Sequence, residues 1–313
     1  MRAMSQINEQ VPLLVICGPT ASGKTAWALR LAADYELEVI SADSRQVYRR
    51  MDIGTAKVTA EEQARVTHHL IDLVEPDQPF SVADFVALAR PLIIDIHRRG
   101  KLPCIVGGTG LYIQALLGGL AEVPTGDDQL RARLHEREEV EGPGTLHSEL
   151  KQVDPAAADT IHPHNIIRLV RALEVFYLSG NKLSELKEQH RFSEQCYRTL
   201  KFGPDLERAE LYQRIDLRVE AMFAAGLLDE VRTLLQDYDP QLKSMQTLGY
   251  REAVRHLKGE LEYQEMVGLI QTRTRQYAKR QLTWLRKDQE TIWVDSCKES
   301  GRVKKSIDIL FQR

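Results

Sequence analysis

Residues 18–25 read Gly18-Pro19-Thr20-Ala21-Ser22-Gly23-Lys24-Thr25, a G-x-x-x-x-G-K-[ST] pattern. It lies between an apolar run, Leu13-Leu14-Val15-Ile16-Cys17, and a segment of helical composition, Ala26-Trp27-Ala28-Leu29-Arg30-Leu31. This order constrains the fold more than any other feature, because a strand must feed a glycine turn that opens a helix. Such a turn gathers backbone N–H groups around an anion, adds the positive end of a helix dipole and supplies the charge of Lys24. The Thr25 hydroxyl suits a Mg²⁺ that bridges phosphate oxygens. The expectation is a di- or triphosphate site made by residues 18–25.

The first part of the chain continues to alternate strand and helix signals. Leu37-Glu38-Val39-Ile40 leads into Ser41-Ala42-Asp43-Ser44, and His69 to Val74 reads as another strand. Ser81 caps a helix from Val82 to Arg99 that Gly100 ends. Pro103-Cys104-Ile105-Val106 then runs into Gly107-Gly108-Thr109-Gly110 and a further helix. Alternation of this kind predicts a parallel sheet covered on both faces, with ligands at the carboxyl ends of the strands. The loop at residues 18–25, Asp43 and Thr109 all fall at such ends and are expected in one crevice.

From about Gly118 the pattern changes. Residues 121–203 read as helices over Asp127–Glu139, Asn165–Leu178 and Leu183–His190, broken by Gly142-Pro143-Gly144, His162-Pro163 and Ser179-Gly180. The strand-like Tyr197–Phe202 closes this stretch. The expected organisation is a core from residues 1–120 and 204–313, with 121–203 as an all-helical insertion. The last third is mostly helical up to about Lys287, and Thr291-Ile292-Trp293-Val294 returns as a terminal strand.

Composition narrows the function classes. A net charge of −3 over 313 residues excludes bulk attraction to nucleic acid, so any such contact needs a local patch. No stretch has the apolar length of a membrane span, and residues 1–12 lack the hydrophobic segment of a signal peptide. Cys17, Cys104, Cys196 and Cys297 are scattered without metal spacing, which fits reduced thiols in a cytoplasmic protein, and nothing demands more than a monomer. Gly-Gly-Thr-Gly stands where a motor ATPase carries Asp or Asp-Glu, and Asn181-Lys182-Leu183-Ser184 lacks the Asp of a guanine motif.

Several residues qualify for chemistry. Asp43, at the end of the strand after the phosphate-loop helix, can take a proton beside the phosphates or hold a metal water; it can equally cap the turn that follows. Thr109 sits in a glycine turn from which a hydroxyl can reach a phosphate oxygen, or it is an incidental turn residue. The segment Met266–Lys287 holds Arg273, Arg275, Lys279, Arg280, Arg286 and Lys287 and no acid, with Arg273, Tyr277 and Arg280 sharing a helix face. Such a face suits a diphosphate or a nucleic-acid backbone. Arg214 and Arg218 lie one turn apart, and either can reach phosphate; Arg168 and Arg171 share a face in the insertion. These readings also fit a small-molecule kinase whose basic helix closes over ATP, or a regulatory nucleotide-binding module.

The ordered set of motifs is more specific. Besides G-P-T-A-S-G-K-T, the chain carries Asp43-Ser44-Arg45-Gln46-Val47-Tyr48, Met51-Asp52-Ile53-Gly54-Thr55-Ala56-Lys57, His68-His69-Leu70-Ile71-Asp72 and Gly107-Gly108-Thr109-Gly110-Leu111-Tyr112. L-V-R-A-L-E from Leu169 to Glu174, Leu248-Gly249-Tyr250-Arg251-Glu252 and T-R-Q-Y-A-K-R-Q-L-T-W from Thr274 to Trp284 complete the set. Together they resemble the bacterial tRNA dimethylallyltransferases. The likeness implies an α/β fold, a P-loop NTPase-like parallel sheet core flanked by helices, with an all-helical insertion domain that binds the tRNA anticodon stem-loop. It implies transfer of a dimethylallyl group from dimethylallyl diphosphate to N6 of the adenosine 3′ of the anticodon, in tRNAs reading codons that begin with U, and release of diphosphate.

By the same likeness Asp43 is the general base, Thr109 and Arg218 assist at the diphosphate, and Thr25 holds Mg²⁺. The contact between Arg218 or Arg214 and the diphosphate stays open. The tRNA contacts it implies are Asp43, Ser44, Arg45, Gln46, Thr109, Arg131, Ile167, Arg168, Leu169, Val170, Arg171 and the run Gln246, Thr247, Leu248, Gly249, Tyr250, Arg251. Where the family often has Gln, this chain has Ile167, a neighbour of the contact rather than a polar reader.

Overall fold

The computed structural model describes residues 11–190, 197–295 and 300–311. The chain divides into two compact units, one formed by Met1–Leu117 with Gln195–Arg313 and the other by Gly118–Glu194.

The first unit is built on six parallel strands in the order β3-β2-β4-β1-β5-β6. They are β1 (Pro12–Cys17), β2 (Leu37–Ala42), β3 (His68–His69), β4 (Leu102–Gly107), β5 (Arg198–Pro204) and β6 (Ile292–Val294). Every residue of β1, β2 and β4 is buried, Glu38 and Ser41 of β2 included, as in a parallel sheet covered on both faces. Helices α1 (Lys24–Leu31), α2 (Ala60–Arg65), α3 (Val82–Arg98) and α4 (Gly110–Gly118) follow the first four strands. Ser81 caps α3 as expected: its hydroxyl accepts from Asp84 N while the Asp84 carboxylate accepts from Ser81 N. One core cluster packs Leu14, Ile16, Trp27, Val39 and Phe202 together, the Trp27 and Phe202 rings 6.0 Å apart. Cys17 and Cys104 are buried thiols, Cys17 pushed up to about 11 chiefly by burial; Cys196 and Cys297 lie outside the described residues.

Two expectations change. A boundary at residue 203 cuts through β5, whose pairing with β1 from Pro12↔Arg198 to Ile16↔Phe202 makes it part of the sheet. The expected strand His69–Val74 shrinks to His68–His69, because Leu70 and Asp72 adopt positive φ (60° and 53°) and turn the chain away. Lys57 holds that turn: its buried Nζ reaches Asp72 Oδ1 and Asp52 Oδ1, each at 2.5 Å, and the Tyr48 carbonyl at 2.7 Å.

The second unit is helical: α5 (Asp128–Glu141), α6 (Thr145–Val153), α7 (Pro155–Thr160), α8 (Ile166–Ser179) and α9 (Leu183–His190). Its core gathers Leu134, Leu146, Leu150, Leu169, Leu173 and Leu183. Buried carboxylates tie the helices together where apolar contacts end. Asp154 caps α7 through Ala157 N (3.1 Å) and also accepts from Ser184 N and Oγ at the start of α9. Glu138 accepts from Gly144 N and Leu146 N at the start of α6.

The chain then returns to the first unit with α10 (Arg208–Ala224), α11 (Leu227–Asp237), α12 (Tyr250–Leu257), α13 (Tyr263–Leu285) and α14 (Ser300–Phe311). A second core cluster joins α10–α13 to Val47, Tyr48 and Met51, which follow β2. No helix among the described residues is long and apolar enough to cross a membrane.

Candidate active site

Strand register brings three loops to one level. Cys17 pairs with Gly107, and Gly107 pairs with Ala42, so residue 18, residue 43 and residue 108 leave the sheet side by side. The phosphate loop then arches from Gly18, whose N–H reaches the Gly107 carbonyl at 3.3 Å, to the start of α1. Gly23 caps that helix with φ of 84°, a conformation that favours glycine. Ala21 also has positive φ (63°), which costs an L-residue roughly 1–2 kcal/mol and has to be held by its surroundings. The Ser22 hydroxyl is buried in the loop with no hydrogen-bond partner among the described residues. Lys24 Nζ donates to the Pro19 carbonyl at 2.6 Å, across the arch. Burial, reinforced by the charge of Arg218 and opposed by Asp43, pulls the Lys24 ammonium down to about 8.

These loops line one wall of a crevice of about 460 Å³, within the range of small-molecule sites. Thr20, Lys24 and Thr25 face it from the phosphate loop, and Asp43, Arg45 and Gln46 from the end of β2. Asp43 caps the turn and faces the crevice. Its Oδ1 accepts from Arg45 N at 2.8 Å, capping the turn, while its charge is felt by Lys24, Arg218 and Tyr277 across the crevice. Thr109 stands just behind: its Oγ1 accepts from Ser44 N at 3.1 Å, which leaves the hydroxyl proton to donate elsewhere. Gln46 is engaged by protein, its Nε2 on the Ala56 carbonyl (3.1 Å) and its Oε1 on Ser41 Oγ (3.3 Å).

The opposite wall comes from α10, α12 and α13. Arg218 lines the crevice, whereas the Arg214 guanidinium lies beside Gly23 of the phosphate loop. Arg214 pairs with Glu210 one turn earlier at 2.6 Å, whereas Arg218 faces Asp43 and is pulled below the usual guanidinium range by burial. On α13 the face toward the crevice is Ile270, Thr274, Tyr277 and Gln281, with Arg280 beside them. Arg273, expected on that face, is instead bound to the buried Glu252. The missing acids of the basic segment lie on other elements: Asp216 takes Arg275 at 2.7 Å and Asp205 takes Arg286 at 3.3 Å. Burial and the Asp43 charge push the Tyr277 phenol up to about 12, so it stays protonated.

Gln246, Thr247, Leu248, Gly249 and Arg251 also line the crevice, Arg251 being paired with Glu252 at 2.9 Å. Tyr250 lines the crevice too, but as a buried wedge. Its ring is fully buried, and its hydroxyl donates to Glu230 Oε1 at 2.6 Å. Glu230 in turn accepts from the N–H groups of Asp52, Ile53 and Gly54. A Cβ on Gly54 would come within 2.4 Å of the Tyr250 ring, so only glycine lets the two close.

In the helical unit, Ile167 (76% exposed) and Arg168 lie on the surface, while Leu169 and Val170 are core residues that offer no side chain to a ligand. Arg131 and Arg171 both bind the fully buried Glu174, Arg131 Nε at 2.8 Å.

Sequence reasoning missed three residues that shape the crevice: Glu230, Lys57 and Gln281. Gln281 is uncharged and sits inside a basic run, where attention falls on the charges; its place beside Arg280 in T-R-Q-Y-A-K-R-Q was the available signal. No group of three His, Cys, Asp or Glu among the described residues could hold a metal alone. Thr25 and Asp43 on one crevice fit a Mg²⁺ that takes its other ligands from phosphate oxygens and water.

The charge balance of this crevice is unusual. Arg45, Arg218 and Arg280 make no side-chain hydrogen bond or ion pair with protein among the described residues, and Lys24 binds only a carbonyl, against the single carboxylate of Asp43. Comparison with known proteins agrees with an anion-handling enzyme. A family model described as IPP transferase matches residues 46–288, and one described as isopentenyl transferase matches residues 11–73. The chain is 51% identical to tRNA dimethylallyltransferase 1 of Syntrophotalea carbinolica over 96% of both chains. It is 51% identical to the tRNA dimethylallyltransferase of Geobacter sulfurreducens, over 93% of this chain and 94% of that one. The crystal structure of a Bacillus halodurans tRNA isopentenylpyrophosphate transferase superposes with a TM-score of 0.72 at 40% identity, over 96% of this chain and 97% of that one. A eukaryotic dimethylallyltransferase acting on tRNA gives 0.81 at 28% identity, over 95% of this chain and 77% of that one. Near-complete coverage at such identity, on a crevice of unpaired cations around one acid, leaves one assignment: the chain belongs to the tRNA dimethylallyltransferase (IPP transferase) family.

Proposed function

We propose that this enzyme transfers the dimethylallyl group of dimethylallyl diphosphate to N6 of the adenosine 3′ of the anticodon, in tRNAs reading codons that begin with U. The observation that carries the reading is the cation excess at the phosphate loop. Lys24 and Arg218 face one acid, which suits the charge that develops on a departing diphosphate. In the transfer, N6 forms a bond to the allylic carbon as its C–O bond to diphosphate breaks. The electron pair leaves with the diphosphate, and the N6 proton goes to an oxygen of Asp43. The N–H groups of residues 18–25 and Lys24 hold the leaving group, and Arg218 and the Thr109 hydroxyl donate to it. A Mg²⁺ held by Thr25 would add charge neutralisation at the phosphate oxygens when bound. Val39, Val58, Val106, Ile215 and Met222 give the crevice an apolar lining for a five-carbon chain.

The target adenine is stacked in its loop and has to be extruded before chemistry. Asp43, Ser44, Arg45 and Gln46, with the Gln246–Arg251 segment, are the residues we assign to the extruded base and its neighbours. The helical unit meets the anticodon stem-loop through Ile167 and Arg168, by shape and phosphate contacts. Arg131 and Arg171 support this surface from Glu174, and Leu169 and Val170 support it from the core. The enzyme acts as a cytoplasmic monomer in this reading.

The test is incubation with prenyl-labelled dimethylallyl diphosphate and unmodified tRNA, followed by nucleoside analysis. Label is expected in a single N6-alkylated adenosine. ATP consumption with a small hydroxyl acceptor, and no label in tRNA, would favour a kinase instead.

A further inference from the structure

We infer that Gln281 is a positioning residue that fixes the diphosphate cradle from outside it. The inference rests on the diphosphate reading of the crevice. Its side chain, 9% exposed, reaches from α13 to two loops at once. Its Oε1 accepts from Thr20 N at 2.9 Å, at the crest of the phosphate loop, and its Nε2 donates to the Gly108 carbonyl at 3.0 Å, in the turn after β4. A Cβ on Gly108 would fall 2.4 Å from Nε2, so the glycine turn is shaped to admit this amide.

The chemistry of the two contacts selects the residue type. One loop presents a backbone donor and the other a backbone acceptor, and a carboxamide serves both in one plane. A carboxylate can serve only the first, and an apolar side chain neither. Thr20 immediately precedes Ala21, the non-glycine residue with positive φ, and four residues later the loop delivers Lys24. Gly108 immediately precedes Thr109, whose hydroxyl anchors Ser44 beside Asp43. Gln281 therefore ties the loop that carries the cation to the turn behind the base. Its neighbours on α13, Tyr277 and Arg280, face the same crevice. The amide sets where the diphosphate sits relative to Asp43 by holding the two loops.

The experiment titrates inorganic pyrophosphate with Mg²⁺ into wild type, Gln281→Met and Gln281→Glu, and measures KM for dimethylallyl diphosphate and for tRNA separately. Gln281→Met is expected to weaken pyrophosphate binding about tenfold and raise KM for the prenyl substrate alike, given two neutral hydrogen bonds lost. KM for tRNA is expected to stay within about twofold, because the amide acts only through the two loops. Gln281→Glu is expected to share the defect at pH 8 and to recover toward wild type at pH 5.5, where a protonated carboxyl can again donate to Gly108. Wild-type pyrophosphate affinity in folded Gln281→Met would overturn the assignment, as would a Gln281→Glu defect indifferent to pH. If Gln281→Met does not fold, the pH course of Gln281→Glu decides alone. A wild type that binds pyrophosphate but labels no tRNA sinks the transferase reading and leaves Gln281 to be judged on pyrophosphate binding; a wild type that binds none sinks both.

Discussion

Arginine does opposite work in the two units. In the crevice of the α/β unit, Arg45, Arg218 and Arg280 have no ion-pair partner among the described residues, and Asp43 is the one carboxylate on the described lining. In the helical unit, Arg131 and Arg171 converge on Glu174, a carboxylate with no exposure that also accepts from Asp127 N at 2.7 Å. Arg45 and Arg218 are half-buried and Arg280 is exposed, so the first arrangement is open to an anion from solvent, whereas the second is complete in itself around a carboxylate with no exposure. The residue type says nothing about which job is done; the partner does.

The largest test of that contrast is at Asp43. Asp43→Asn keeps the oxygen that accepts from Arg45 N but cannot take a proton, so the turn survives and the base does not. Transfer is expected to fall about a thousandfold, within the range for general-base removal, with tRNA affinity nearly unchanged. Single-turnover transfer and tRNA binding measured together decide it: an Asn variant that still transfers at wild-type rate removes Asp43 from proton abstraction. Next in size is Arg218→Ala, expected to cost about a hundredfold in kcat/KM for dimethylallyl diphosphate, as loss of one donor to developing charge typically does. Arg214→Ala, one turn away but paired with Glu210, serves as the comparison. Equal losses for the two would break the distinction between completed and waiting arginines.

The reverse holds in the helical unit. Glu174→Ala leaves two guanidiniums, each about a third exposed (side chains 41% and 32%), without their shared carboxylate. Removing one partner of a fully buried pair costs about 3–5 kcal/mol, and solvent reaching both arginines reduces that to roughly 2 kcal/mol here. The unfolding free energy from urea titration should drop by that amount, while pyrophosphate affinity at low temperature should not move. A Glu174→Ala protein of unchanged stability would show that the pair is incidental.

How much of this was legible in the sequence follows from how far each determinant reaches. The phosphate loop, the capping of α3 by Ser81 and the positions of Asp43 and Thr109 at strand ends depend on residues within a few positions, and local patterning shows them. The choice between Arg214 and Arg218 does not, since both lie on one side of α10 and only tertiary packing turns Arg218 to the crevice. The apparent lack of acids around the basic helix was misleading for the same reason. Its partners Glu252, Asp216 and Asp205 lie 21, 59 and 81 positions away. Tyr250 reads as a contact residue in its motif, yet Glu230 and Gly54 make it a wedge under the loop. Tyr197–Phe202 reads as a strand, but its position directly after the helical stretch grouped it with the insertion, and its pairing with the distant β1 is not a local signal.

The smallest expected effect probes the cation that both readings of the crevice share. Burial holds the Lys24 ammonium at about 8, whereas a bound diphosphate favours its charged form, so binding takes up a proton wherever Lys24 is neutral beforehand. The sign follows: affinity through Lys24 is full below pH 8 and declines as pH rises above it. The decline should be roughly fivefold between pH 8 and pH 9, from the neutral fraction of a group titrating near 8. Pyrophosphate changes its own charge in this range, so the quantity to plot is the ratio of Kd values for wild type and Lys24→Arg, whose guanidinium does not titrate there. A ratio that stays flat from pH 7 to pH 9.5 would mean that Lys24 is charged throughout, and that the crevice holds its cation in a more solvated place than its packing indicates.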